Sequence, residues 1–168
     1  MIIILNESVS SDMMKAIAEA YNTSTGVVQI YMSSDGGGIG EYMALKHLID
    51  KNSERTILYF YSGVSSALFN LMITTDCEKE VLDGASGMFH RAWCTVDMND
   101  TGKPDSKYAK TVLDRTVDFN SHTEHIAKNI GITAKEKREL NKGQDLYFNA
   151  ERMRNMIDIY NRKVHGHE

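Results

Sequence analysis

The stretch from Ile30 to Ile39, IYMSSDGGGI, puts an acidic residue and three consecutive glycines at the end of an apolar, strand-like run. GEYMALKHLID follows at once, with Tyr42, Leu45, Leu48 and Ile49 at helical spacing. Residues without a Cβ let backbone N–H groups approach a ligand closely and reach positive φ cheaply. A strand-to-helix junction also gathers unpaired N–H groups at the positive end of a helix dipole. That chemistry suits a phosphate or a developing oxyanion, with a ligand-free tight turn as the plain alternative. The run fits neither G-x-G-x-x-G nor a loop ending in G-K-[ST], so the oxyanion gains over the phosphate.

GVSSA at 63–67 supplies a candidate nucleophile. A serine at a strand-to-helix turn exposes its hydroxyl beside free N–H groups, the logic of a nucleophile elbow. The competing reading is that Ser65 and Ser66 only cap the following helix. His90, in GMFHRAW, is either a hydrogen-bonded core residue or the base such a serine needs, and the base in turn needs an orienting carboxylate. Asp145, Asp76, Asp83 and Asp97 are candidates for that role, and spacing does not choose among them. His122 and His125 lie one helical turn apart without a third ligand at matching spacing, so a solvated face is expected. Cys77 and Cys94 make no zinc motif and point to a reducing compartment. No metal and no cofactor are expected.

These groups need a scaffold. The chain has 168 residues and a formal charge of −4, enough for one domain with a proper core and without the basic face that nucleic acids require. Its longest apolar run, MIIIL, is too short for a membrane span and lacks the flanks of a signal peptide, so a cytoplasmic protein is expected. Strands are predicted at 2–5, 27–32, 56–61, 80–82 and 87–93. Helices are predicted over MMKAIAEAY, from the glycines to Ile49, over LFNLMITT, from 107 to 129 and from Thr133 to Leu140. Tyr108, Val112, Val117, Phe119 and Ile126 form an imperfect stripe on the long helix, and residues 94–106 read as a polar excursion around Pro104. Alternating strands and helices imply an α/β fold with a largely parallel sheet.

In this order the motifs resemble the proteolytic subunit of the Clp protease, within the Clp/crotonase fold. IIILNESVSSDMMKAIAEA is similar to that family's first strand and helix. YMSSDGGGIGEYMALKHLI is similar to its glycine-rich segment, and TILYFYSGVSSALFNLM to its nucleophile-bearing strand and helix. ASGMFHRA resembles the strand carrying the histidine, and DLYFNAERMRNMID the late acidic motif ending in a strand. The resemblance implies one ClpP-like domain over 1–168, a repeated β-β-α spiral core, and a protruding helical handle at about 94–142. It implies a serine endopeptidase acting on peptides or unfolded proteins and assembled as a homo-oligomeric ring. Ser66, His90 and Asp145 would be the triad, with the N–H groups of Gly37 and Ala67 as the oxyanion hole.

A gap-free count from Gly63 lands on Ala67, so Ser66 requires a one-residue deletion, and Ser65 is its neighbour. Ala67 in the nucleophile position would give the alternative, a catalytically inactive Clp-like assembly or host-protease-binding protein. A crotonase-type acyl-CoA enzyme is a third reading, without a basic cluster to hold the CoA phosphates. The family's proline before the glycines is Asp35 here. A Clp-type ATPase is the family's partner, and a sequence beginning at the first core strand argues against its docking.

Overall fold

In a computed structural model, residues 1–93 and 107–166 are described. The elements run β1 (Ile2–Leu5), α1 (Ser11–Thr23), β2 (Val28–Ser34), α2 (Ile39–Asp50), β3 (Thr56–Ser65), α3 (Ala67–Thr74), β4 (Glu78–Val81) and β5 (Ser86–Phe89). After the segment at 94–106 come α4 (Lys107–Asn129), α5 (Ala134–Asn141), β6 (Leu146–Asn149) and α6 (Ala150–His165). Asp97, Cys94, Pro104 and the predicted polar excursion lie outside the described residues. Among those residues no helix is long and apolar enough to cross a membrane.

The six strands form one mixed sheet in the order β1-β2-β3-β5-β6, with β4 beside the first half of β3. All pairings are parallel except β5 with β6. Burial alternates along β2 and the first part of β3, the period-two signature of a sheet covered on one face. Val28, Ile30, Met32, Leu58 and Phe60 point into the core, where helices supply Met13, Ile17, Tyr42, Leu45, Phe69 and Met153. Burying each such side chain is worth about 1.5–3 kcal/mol.

An irregularity in β3 shapes everything downstream. Met32 pairs with Phe60 and Ser34 with Val64, so β3 carries two more residues than β2 across the same interval. A strand with extra residues bends and twists, and β3 uses the bend to change neighbours. Its first half pairs with β4 at Ile57–Phe60, and its last residues pair with β5 at Gly63–Ser65.

Three expectations need correction. The fifth strand stops at Phe89, leaving His90 just beyond it rather than inside. The motif DLYFNAERMRNMID, which the resemblance ends in a strand, runs instead from β6 into a helix, α6. Asn149 caps α6 by accepting from Arg152 N–H, and Met153, Met156, Ile157 and Tyr160 recur at helical spacing on its buried face. On α4 the buried stripe is Thr116, Phe119, Thr123 and Ile126, continued by Ile130 just past the helix, while Val117 is 64% exposed. Residues 116 and 117 sit about 100° apart on a helix, so an apolar Val117 was the wrong marker and the threonines were the right ones.

Candidate active site

Strand register alone brings the three predicted polar residues into line. Ser65 of β3 is opposite Met88 of β5, and Ser66 N–H continues the ladder by donating to Met88 O at 2.8 Å. Phe89 of β5 is opposite Leu146 of antiparallel β6, so the residues just past that pair, His90 and Asp145, also face each other. The side chains complete the line. His90 Nε2 lies 2.7 Å from Ser66 Oγ, and His90 Nδ1 lies 3.5 Å from Asp145 Oδ1. The first is a hydrogen bond, and the second is a longer approach of the ring nitrogen to the carboxylate. If Ser66 donates its hydroxyl proton to Nε2, the ring carries its own proton on Nδ1, toward Asp145. Tyr147 Oη donates to the other Asp145 oxygen at 3.4 Å.

Ser66 is the serine singled out by its backbone. It has φ 55° and ψ −117°, the only non-glycine residue at positive φ among those described. Such a conformation costs of order 1–3 kcal/mol and persists only where neighbours enforce it. Ser66 also stands at the start of α3, yet its side chain makes no cap hydrogen bond. The capping reading therefore fails for Ser66. Ser65 remains in the β3 ladder, and Ala67 is the first residue of α3.

The glycine turn packs directly against this elbow. Gly36 has φ 113°, and a Cβ there would stand 2.6 Å from the Ser66 Cβ and 3.1 Å from Ser66 Oγ. Gly36 is stitched down by Ser34, whose buried hydroxyl accepts from Gly36 N–H at 3.1 Å and donates to Gly36 O at 3.0 Å. Val9 N–H donates to the same carbonyl at 2.8 Å. Gly37 forms a parallel bridge with Val9, and any Cβ on Gly37 would collide with the Val9 carbonyl. A parallel bridge of this kind draws on the groups flanking Gly37 and leaves its own N–H unused. Ala67 N–H is one of the first-turn amides that α3 cannot pair.

Gly37, Ala67, Ser66 and His90 all line one cleft of about 270 Å³, which Asp35, Ile39, Ala92, Trp93 and Phe119 complete. An adjoining groove shares His90, Ala92 and Trp93 and continues to Lys142 and Asp145.

Asn120 is a positioning residue that sequence reading did not find. Its Oδ1 accepts from Ala92 N–H at 2.8 Å and its Nδ2 donates to Ala92 O at 3.0 Å. Arg91 reaches Glu124 at 3.0 Å, so α4 holds the segment just after His90 at two points. No local pattern signals these contacts, because the partners are 28 residues apart for Asn120.

The other candidates lie elsewhere. Asp83 pairs with Arg154 at 2.5 Å, and Asp76 faces His165 at 3.6 Å. His122 Nε2 is 2.9 Å from the Tyr42 hydroxyl, and burial pulls its pKa below the ordinary value of 6.5. His125 contacts Asn129 on the exposed side. No group of three or more metal-ligating side chains converges among the described residues. Neither a protein-family model nor a curated protein matches this sequence.

Proposed function

We propose that this protein is a serine peptidase of the Clp/crotonase architecture, hydrolysing peptide bonds through Ser66, His90 and Asp145. The observation that carries the reading is the Ser66 elbow: a residue at φ 55° whose hydroxyl is 2.7 Å from His90 Nε2. His90 takes the Ser66 proton as Oγ attacks the peptide carbonyl carbon. The resulting oxyanion sits between the N–H groups of Gly37 and Ala67, and loss of one such donor typically costs about 10²–10³ in rate. His90 then delivers its proton to the leaving amine, giving an acyl-serine. A water that loses its proton to His90 attacks the acyl carbon, and His90 returns that proton to Ser66 Oγ as the C–Oγ bond breaks, releasing the acid. Asp145 holds the Nδ1 proton and favours the imidazolium formed in between.

The bend in β3, with its exchange of β4 for β5, supports the spiral form of the core. Assembly into a ring is part of the same proposal. It is supported by the uncovered sheet face, where Ile2 and Ile4 are 63% and 68% exposed beside stacked Tyr31 and Tyr59. An acyl-CoA enzyme is less suited to a cleft whose charged wall residue is a carboxylate, Asp35.

Hydrolysis of a mixture of fluorogenic peptides tests the reading. Cleavage by the native protein that disappears in both Ser66→Ala and His90→Ala is the expected result. Activity that survives Ser66→Ala would remove the serine from the reaction.

A further inference from the structure

We propose that Asp35 is a specificity carboxylate that selects peptides carrying a lysine or arginine side chain close to the bond being cut. The proposal rests on the peptidase reading and extends it to the class of substrate.

Asp35 immediately precedes the Gly36-Gly37 turn and lines the cleft that holds Ser66 and His90. Among the described residues it is the only carboxylate or permanent cation in that lining. It is exposed, and it forms no salt bridge among the described residues, so its charge is available to a ligand. The carboxylate lies over Gly63, with Oδ1 3.8 Å from the point where a Cβ on that glycine would stand. The absence of a side chain there keeps one flank of Asp35 open.

The same cleft offers a second group that favours cations. Trp93, 76% exposed, presents an indole, the aromatic ring on which ammonium and guanidinium groups sit best. Beyond Trp93 the adjoining groove is mixed in charge: Lys142 lies there with Asp145, and Arg91 is paired to Glu124 at 3.0 Å, so the cation preference rests on the Asp35 end of the cleft. An exposed carboxylate pair and one cation–π contact together support a preference of about five- to tenfold.

The test is a lysine/norleucine scan in quenched fluorescent peptides, from three residues before the scissile bond to three after, with cleavage sites read by mass spectrometry. The two side chains are nearly equal in length, so the comparison isolates charge. One position is expected to favour lysine five- to tenfold in kcat/KM, and to lose most of that advantage in 0.5 M salt. Asp35→Asn should bring the ratio near one, and Asp35→Lys should make glutamate the preferred residue at that position. Equal cleavage of lysine and norleucine peptides throughout, or a preference that persists in Asp35→Asn, would overturn the assignment. Labelling of Ser66 by a neutral fluorophosphonate, run in parallel, separates the two failures. Labelling with no charge preference leaves the peptidase standing without this site. Absence of both labelling and cleavage removes the peptidase and this specificity together.

Discussion

Ser66 adopts a backbone conformation that a helix cap has no need of, and its neighbours show what maintains it. Gly36 lies so close that any side chain would meet the Ser66 Cβ. Gly36→Ala is therefore expected to cost at least about 10²-fold in peptide hydrolysis and about 1–3 kcal/mol in stability, read by kcat/KM and urea unfolding. Near-native activity in that variant would mean the elbow is not held by the glycine turn. In the proposed mechanism Asp145→Asn should slow hydrolysis by about 10²–10⁴ with little change in KM, because it would remove the group that orients the His90 ring. The residue types and their order were readable in the chain. Which of Ser65, Ser66 and Ala67 sits at the turn was not, because a shift of one residue depends on the two extra residues in β3. That irregularity is a property of strand pairing, and no local signal in TILYFYSGVSS marks it.

Among the elements, α4 does more than its sequence suggested. Thr116, Phe119, Thr123 and Ile126 pack it on the core, and Asn120 and Glu124 tie it to the segment after His90. Asn120→Ala should lower kcat more than it changes substrate affinity, since it loosens the base without touching substrate. His122, on the same helix, bonds Tyr42 and has a folded pKa below 6.5. The unfolded chain then binds more protons as pH falls through 6.5, so stability is retained above that point and lost below it. His122→Gln should flatten this acid limb in urea midpoints between pH 7 and 5.

At the other end of α3, Lys79 donates to Thr75 O at 2.6 Å and Ile73 O at 3.3 Å, and burial lowers its pKa from 10.5 to about 8. Between pH 8 and 10.5 the unfolded chain holds more protons at this group, so its contribution makes stability rise with pH. Cys77, raised by burial from 9.0 to about 11, works in the opposite sense between pH 9 and 11. A rise confined to pH 8–9, absent in Lys79→Met, is the expected outcome.

At the scale of the whole molecule, the parallel α/β plan was legible because apolar strand runs and helical spacings alternate clearly along the chain. The final helix is not among the predicted elements, although Met153, Met156 and Tyr160 carry its spacing; only the resemblance, which ends the motif in a strand, speaks to this region. The rows Ile4–Tyr31–Tyr59 and Ile2–Gln29–Ile57 leave a largely apolar exposed sheet face, bounded by Glu78 and Glu80 of β4. Under the proposed ring assembly, Ile4→Glu on that face should shift light scattering toward smaller species, with the fold of each chain retained by circular dichroism. The central claim, that Ser66 is an activated nucleophile, is tested most directly by fluorophosphonate treatment followed by peptide mapping of the adduct. Stoichiometric phosphonylation at Ser66 that falls at least about 10²-fold in His90→Ala is the predicted result. An unmodified Ser66, or equal labelling without His90, would contradict it.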